Sequence, residues 1–275
     1  MRSAFFTIFG DFIRKDDGMI TMAELTRLLE TLHFTEEAIK AAVFRMRHQK
    51  IVISKKKDGK MYYLLTEEGI EKMDEGLRRT FRESDVVEWD GWWRVLIYSV
   101  PEKKRQLRDQ LRKEITWLGF GQVMPGTWIS PYNLFEPVRR LIKQHKLESY
   151  VQMFESKHVG PGPYQTLVSQ AWDLDGINQQ YRGFIEEFEP RYQAYCAEHD
   201  KWDACKTFAE RVMLVHEYRK FLHIDPQLPL ELLPMNWLGE DARHLFRKMY
   251  QALTPGAMQF YKQVRNDRMA ASGER

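Results

Sequence analysis

Hydrophobic positions recur at helical spacing through the opening part of the chain and divide it into short segments. The apolar residues crowded into 3–15 predict a short buried helix, and Thr21 followed by Glu24 has the spacing of a capping box that opens the next helix. After a short connection, Thr35 is placed to cap a third helix. Its inward face is predicted to hold four apolar residues, Ile39, Ala42, Val43 and Met46. This arrangement predicts a helix-turn-helix.

The pattern then changes to two β-prone runs, 51–54 and 61–65, which flank Asp58-Gly59 and indicate a tight hairpin. Thr66 is predicted to cap a following helix. That helix is expected to bury Ile70, Met73, Leu77 and Phe81 and to carry Arg78, Arg79 and Arg82 near its negative end. The whole order of elements is typical of a winged helix-turn-helix, and we assign it to residues 1–88.

The middle of the chain alternates strand-like and helix-like patterns. Strands are predicted at 95–100, 120–123 and 149–155, helices at 102–114 and 135–146, with the segment 127–131 following the second strand and a further strand considered at 165–171. Gly119 has the position of a C-cap. Strand, helix, strand, strand, helix, strand predicts a ferredoxin-like α/β sandwich over residues 89–172.

The last part of the chain is predicted to be mostly helical. Asp173 is placed to cap an amphipathic helix that reaches about Glu198 and that Pro190 is expected to kink or split. Further helices are expected at about 202–222 and 239–265, and the polar tail 266–275 is expected to fray. The fold class is therefore α+β, with a C-terminal helical domain over residues 173–275.

Charge changes this picture in one segment. The chain as a whole carries a net charge of only +3, but residues 35–60 alone carry +5, which is typical of a nucleic-acid-binding surface. A solvated basic face remains the alternative. The candidate DNA-binding residues are Lys40, Phe44, Arg45, Arg47 and His48 on the third helix, and Lys55, Lys56, Lys57 and Lys60 on the hairpin. The helix cations are expected to reach base edges or adjacent phosphates and the hairpin lysines to hold the DNA backbone.

Candidate chemistry elsewhere is sparse. Only Cys196 and Cys205 are present, and the short apolar start lacks the features of a signal peptide, so a cytoplasmic protein without a membrane segment is expected. His216-Glu217 begins like a zinc-protease motif, but Lys220 stands where the second histidine ligand would be. No phosphate-binding loop or nucleophile motif is found. We therefore expect no enzyme activity, no catalytic residue, no metal and no cofactor.

Nine short motifs together resemble the PaaX family, bacterial repressors of phenylacetic acid catabolism. They are FTIFGDF at 6–12, AAVFRM at 41–46, YYLLTEEG at 62–69, WDGWWR at 89–94, LGFG at 118–121, GTWISP at 126–131, HEYRKF at 216–221, DPQLP at 225–229 and LLP at 232–234. They are spread over about residues 6 to 235, nearly the whole length of the chain, and it is their combination that is specific.

The resemblance implies a homodimeric repressor that binds double-stranded operator DNA and is released by an acyl-CoA effector such as phenylacetyl-CoA. It also implies a middle domain similar to a small CRISPR-associated nuclease. Such a nuclease needs a carboxylate at the end of its first strand, where this chain has Ser99. A dimerisation or ligand-sensing platform is therefore the expectation for this domain.

An anionic thioester needs cations for its phosphates and an apolar slot for its acyl group. The candidates for that effector site are Trp128, His216, Arg219, Lys220 and Trp237. Two other classes of protein stay open at this point. One is an enzyme that cleaves nucleic acid or acts on acyl-CoA, and the other is an architectural DNA-binding protein that senses no ligand.

Overall fold

The computed structural model describes the backbone of residues 2–80 and 88–273, and within them the side chains of residues 3–74, 80 and 88–266. The chain folds as two compact units, each assembled from separate stretches. The first consists of residues 1–82, 181–222 and 239–275, and the second of residues 83–180 and 223–238.

The N-terminal stretch of the first unit is a winged helix-turn-helix. Its elements are α1 (Arg2–Asp11), a 3-10 turn (Ile13–Lys15), β1 (Ile20–Thr21), α2 (Met22–Glu30), α3 (Glu36–His48), β2 (Val52–Lys57), β3 (Lys60–Leu65) and α4 (Glu67–Thr80). The three strands form an antiparallel sheet in the order β1-β3-β2. The predicted sequence of elements is confirmed, with β1 as a short addition.

Side-chain caps begin three of these helices at the predicted residues. The Thr21 hydroxyl accepts a hydrogen bond from the Glu24 amide at 3.3 Å, and the Glu24 carboxylate accepts one from the Thr21 amide at 2.8 Å. Thr35 and Thr66 each accept a bond from the amide three residues later, at 3.3 and 3.0 Å. These caps supply acceptors for amides that have no partner within their helix.

The hairpin between β2 and β3 turns at Asp58 and Gly59, both with positive φ of 50° and 75°. Two successive residues with positive φ make the tight turn whose twist matches that of paired strands. Asp tolerates this region better than most residues and Gly has no side chain to clash, so the sequence Asp-Gly fixes the turn.

C-terminal helices complete the core of the first unit. They are the residues from 181 onward of α8 (Leu174–Glu198), α9 (Ala204–Tyr218) and α10 (Gly239–Gly273). Residues 4–11 of helix α1 are all buried. The neighbouring Phe12 packs against Phe208 of α9 and Tyr261 of α10, with ring centroids 5.0 and 5.5 Å apart. The N-terminal segment and the C-terminal helices therefore share one hydrophobic core.

The second unit contains a four-stranded antiparallel sheet. Its elements are β4 (Trp93–Tyr98), α5 (Arg105–Trp117), β5 (Gly121–Met124), β6 (Thr127–Ser130), α6 (Phe135–Gln144), β7 (Val151–Ser156) and α7 (Tyr164–Ala171). The strand order is β5-β6-β4-β7. Because α5 and α6 pack on one face around Leu96, Leu111 and Ile142, this is the predicted ferredoxin-like sandwich, and the α+β fold class is confirmed.

The strand considered at 165–171 is wrong, because this segment is α7. Pro163 precedes the helix with φ of −66°, and only Val168 within α7 is buried. One buried position in eight residues leaves too little apolar periodicity to distinguish helix from strand.

The burial predicted for Ile70 is also wrong, since its side chain is 37% exposed. Helix α4 instead packs through Gly69 and Met73, one turn apart. A side chain at Gly69 would approach the Ile51 carbonyl oxygen to 2.3 Å, so the missing side chain allows close contact on that face. Ile70 is rotated away from it. The predicted positions Leu77, Phe81, Arg78, Arg79 and Arg82 lie outside the described side chains.

Helix α8 ends at Glu198, as predicted, and Pro190 lies inside it without splitting it. One boundary at the C-terminal end differs from expectation. The segment 266–273, expected to fray, continues α10 as far as Gly273. Among the described residues, none of the helices is long and apolar enough to cross a membrane.

Candidate nucleic-acid interface

Helix α3 has one buried and one exposed face. Its four predicted inward residues, Ile39, Ala42, Val43 and Met46, are all buried in the core of the first unit. The five predicted DNA-binding residues of α3, Lys40, Phe44, Arg45, Arg47 and His48, are all exposed. The helix therefore presents cations and an aromatic side chain to solvent on an element that the core holds firmly.

One of these cations is paired along the helix. The Lys40 ammonium lies 2.6 Å from the Glu36 carboxylate one turn earlier. The hydrogen bond that Lys40 donates to the Glu36 carboxylate raises the pKa of Lys40. Both side chains are exposed, and an exposed pair of this kind is readily exchanged for another anion such as a phosphate.

Phe44 and His48 form a second pair on the same exposed surface. The Phe44 side chain is 59% exposed, and its ring centroid lies 4.2 Å from that of His48. The Nδ1 atom of His48 lies 3.2 Å from the Phe44 carbonyl oxygen. The two rings thus form one exposed aromatic surface near the end of the helix.

The hairpin tip gathers the four predicted lysines, Lys55, Lys56 and Lys57 on β2 and Lys60 on β3, and all are exposed. Lys57 and Lys60 lie directly opposite each other across the two strands. Like charges at such positions destabilise a hairpin. A cost of this kind is offset when the tip binds a polyanion, so the arrangement favours phosphate contact.

Arg265 of α10 connects the C-terminal helices to the helix-turn-helix, and sequence reasoning missed it. Its guanidinium lies 3.1 Å from Glu24, 3.0 Å from Asp16 and 2.8 Å from Asp17, and it also donates to the Met19 carbonyl oxygen at 3.1 Å. Glu24 is the capping residue of α2. The position of α2 therefore depends on a residue more than 240 positions later in the chain.

A second missed group is the buried pair of Asp11 on α1 and Arg211 on α9. Nη2 of Arg211 lies 3.2 Å from Oδ2 of Asp11, which also accepts a hydrogen bond from the Tyr250 hydroxyl at 3.2 Å. The guanidinium lies between the rings of Phe12 and Tyr250, at 4.7 and 4.1 Å. Burial raises the pKa of the Asp11 carboxyl, and the charge of Arg211 opposes that rise.

One signal in the sequence could have found this pair. Asp11 interrupts an otherwise apolar segment at a position that helical spacing makes buried, and Arg211 does the same within α9. A buried charge requires an opposite charge close by. The sequence does not tell which two such residues meet.

The five predicted effector residues are divided between the two units. His216, Arg219 and Lys220 lie at the end of α9 and in the turn after it, in the first unit. Burial lowers the pKa values of His216 and Arg219, whereas Lys220 is exposed and lies 2.5 Å from Glu217. In the second unit, Trp128 lies on β6 inside the hydrophobic core and Trp237 is partly buried. The assignment of all five stays a prediction.

The second unit also contains an open pocket of about 390 Å³ between α7 and the segment 232–234. Its wall includes Trp172 and Leu232, and its charged lining residues are Asp173 and Asp175. Two carboxylates disfavour phosphate groups, and none of the five predicted effector residues lines this pocket. In the described part of the chain, no group of three His, Cys, Asp or Glu side chains is arranged to hold a metal ion.

The fold and the exposed basic face place this chain among proteins that join a winged helix-turn-helix to a ferredoxin-like domain and C-terminal helices. Three family models match successive segments: PaaX-like protein at residues 1–69, the PaaX protein central Cas2-like domain at 86–168 and the PaaX-like protein C-terminal domain at 172–263. The chain therefore belongs to the PaaX family.

Two similar proteins extend this finding. Transcriptional repressor PaaX from Escherichia coli (strain K12) is 28% identical over 257 residues, which span 92% of this chain and 80% of that protein. The structure of uncharacterized protein Rv0674 from Mycobacterium tuberculosis superposes with a TM-score of 0.62 at 20% identity and covers 96% of this chain and 98% of that one. The second likeness concerns the fold alone.

Proposed function

We propose that this protein is a transcriptional repressor that binds double-stranded operator DNA through α3 and the β2–β3 hairpin. The observation that carries the proposal is the pairing of an exposed, cationic face on α3 with four lysines at the hairpin tip. An exposed helix of this size fits the major groove, and a basic wing beside it fits the phosphate backbone. The similarity to the E. coli repressor supports the same function.

The finer parts of the proposal rest on family membership. The protein acts in the cytoplasm as a homodimer, so that two copies of α3 meet two half-sites of an operator. It controls an aromatic acid catabolic operon, and an aryl-acyl-CoA such as phenylacetyl-CoA releases it from DNA. His216, Arg219 and Lys220 are the candidates to hold the effector phosphates, with Trp128 and Trp237 as candidates for the apolar wall.

The rival proposal, a nuclease built on the second unit, has less support. Strand β4 ends at Tyr98, and the next residue is Ser99, whose amide donates to the Tyr150 carbonyl oxygen at 3.0 Å. A serine at this position supplies no carboxylate to bind a metal ion. We therefore assign no catalytic residue, and the proposal involves no cofactor.

A gel-shift titration on the DNA upstream of the protein's own gene tests this function. We expect a specific complex that phenylacetyl-CoA abolishes and that free phenylacetate and free CoA leave intact. A complex that ignores the thioester would contradict the effector and keep the DNA-binding proposal. Equal affinity for the upstream DNA and a scrambled duplex would contradict the repressor itself.

Two variants test which residues bind DNA and which bind the effector. Arg45→Ala is expected to weaken binding to the specific site more than binding to scrambled DNA, since a guanidinium can contact guanine through two hydrogen bonds. Equal losses on both duplexes would contradict that role.

Arg219→Ala is expected to bind DNA normally but to resist release by the thioester. Unchanged release would remove Arg219 from the candidate effector site.

A further inference from the structure

The part of α3 farthest from the core carries Glu37 in the first turn and then Ala41, Phe44 and His48, whereas the cations of the helix lie at the sides. Successive residues of a helix are rotated by about 100°, and the buried side of α3 centres on Ile39 and Met46. The exposed residues opposite that buried side are Glu37, Ala41, Phe44 and His48. Lys40 and Arg47 fall together on one flank of this line, and Arg45 falls on the other.

This order decides what each residue would meet in a major groove. A docked helix turns the side opposite its own core toward the floor of the groove, where base edges lie, and its flanks face the phosphates on either wall. The cations of α3 are therefore placed nearest the walls, from which the long side chain of Arg45 still extends toward a guanine edge. Phe44, which is 59% exposed, is placed for the floor together with the methyl group of Ala41.

Only one natural feature on that floor is apolar. The edges of the base pairs carry hydrogen-bond donors and acceptors, and thymine alone adds a methyl group at C5. A phenyl ring has no polar atom to satisfy those donors and acceptors, so placing it against them would remove their water without replacing it. Contact with a thymine methyl buries apolar surface on both partners.

His48 holds the ring of Phe44 in place. A carbonyl oxygen can only accept a hydrogen bond, so Nδ1 of His48 carries the hydrogen that it shares with the Phe44 carbonyl oxygen at 3.2 Å. The imidazole, tilted by 43° against the phenyl ring and with its centroid 4.2 Å from that of Phe44, limits the motion of that ring. In the neutral imidazole Nε2 is then an acceptor, which suits the amino group of an adenine or a cytosine beside the thymine.

We infer that Phe44 makes α3 a reader of a thymine methyl group in the operator, with His48 as the residue that positions its ring. The inference rests on the proposed function, because it needs α3 to lie in a major groove. It goes beyond that function in naming one chemical group of the DNA and the side chain that recognises it.

The test uses the full-length protein and a chemical change confined to the methyl group. Bound duplexes are first selected from a randomised library, and each thymine of the selected site is then replaced singly by deoxyuridine, which pairs identically but lacks the methyl. We expect at least one replacement to weaken wild-type binding about fourfold, which is the change in affinity that corresponds to burying one methyl or methylene group. Phe44→Ala should bind the thymine and deoxyuridine forms of that duplex equally.

Leu230→Ala is the matched control, since Leu230 is also exposed, at 53%, but lies in the second unit. It should retain the wild-type preference for thymine. The inference is overturned if no deoxyuridine replacement weakens wild-type binding. It is also overturned if the same replacement lowers the affinity of Phe44→Ala as much as it lowers that of the wild type. If the library yields no selected sequence at all, the proposed function fails and the inference fails with it.

Discussion

Arg211 is among the largest fully buried side chains in the described part of the chain, at 1% exposure. Its charge is tolerated there because Asp11 lies 3.2 Å away and two aromatic rings cover the faces of the guanidinium. A buried ion pair contributes little net stability, because both charges have lost their water. Removing one partner strongly destabilises the fold, because the other charge is then left buried without an opposite charge.

We expect Arg211→Met to lower the free energy of unfolding by about 3–5 kcal/mol. The control is Arg191→Met, because Arg191 forms ion pairs with Glu187 and Glu210 at 2.8 and 3.2 Å but is 40% exposed. That change should cost at most about 1 kcal/mol. Urea denaturation of both variants at neutral pH measures the two losses of unfolding free energy. Equal losses would contradict the prediction that Asp11 is left as an unpaired buried charge.

His216 provides a prediction about pH. Burial lowers its pKa below the ordinary value of 6.5, so the folded protein holds a neutral imidazole where the unfolded chain begins to take up a proton. As pH falls below 6.5, the unfolded state therefore binds more protons and the stability of the fold decreases. In His216→Gln this contribution is absent.

Denaturation of the wild type and His216→Gln at pH 5 and pH 7.5 tests this sign. We expect the difference in unfolding free energy between the two proteins to shift in favour of the variant at the lower pH. An unchanged difference would mean that the histidine takes up protons equally in both states.

At the scale of the element, Asp58 and Gly59 determine the turn between β2 and β3, and the four lysines beside the turn do not contribute to its geometry. Each lysine that contacts a phosphate releases counterions from DNA, which makes the affinity depend on salt. We expect the Lys55→Ala, Lys56→Ala, Lys57→Ala and Lys60→Ala quadruple variant to show a shallower plot of log affinity against log salt. The slope should fall by about 0.9 for each phosphate that the hairpin no longer neutralises.

A matched control removes the same charge elsewhere. Four exposed lysines of the second unit, Lys103, Lys113, Lys143 and Lys146, are changed to alanine instead. If binding is local to the hairpin, this control keeps the wild-type slope. If both variants lose slope equally, the hairpin acts only through the total charge of the protein.

The elements were predictable from the sequence where a local rule decides the structure. Thr21 with Glu24, Thr35, and Asp58 with Gly59 each have a side chain or backbone preference that acts within a few residues, and each prediction is confirmed. The exposed basic face of α3 followed from the same periodicity. What the residues of α3 contact on DNA stays a prediction.

Prediction failed where the outcome depends on a distant neighbour. Ile70 fits a buried stripe by spacing, but the close packing that Gly69 allows against Ile51 turns it outward. The links of Asp11 to Arg211 and of Glu24 to Arg265 join residues about 200 or more positions apart. Spacing along the chain contains no information about such pairs, so these sites needed the structure.

At the scale of the whole molecule, the core of the first unit is complete only when residues 1–82 and the C-terminal helices are both present. The buried side chains of α1, such as Phe5 and Phe9, belong to the same core as Phe260 and Val264 of α10. The family models divide the chain into successive segments, whereas the first unit draws on its beginning and its end. The winged helix is therefore not packed as a separable module.

This packing predicts the behaviour of a fragment. Residues 1–88 alone would expose the side of α1 and Phe12 that Phe208 and Tyr261 cover in the full chain. We expect the fragment to aggregate or to unfold without a cooperative transition, as followed by circular dichroism, while the full chain melts cooperatively. A fragment that melts cooperatively and binds the selected duplex would contradict the shared core.

The shared core of α1 and α10 has a consequence for how the protein is made. During translation the residues of α1 leave the ribosome long before those of α10, so the core of the first unit stays incomplete until α10 has emerged. Arg265, which holds the capping residue Glu24, also arrives only at that stage. Polypeptides that end before α10, through premature termination or proteolysis, therefore lack this support for α2.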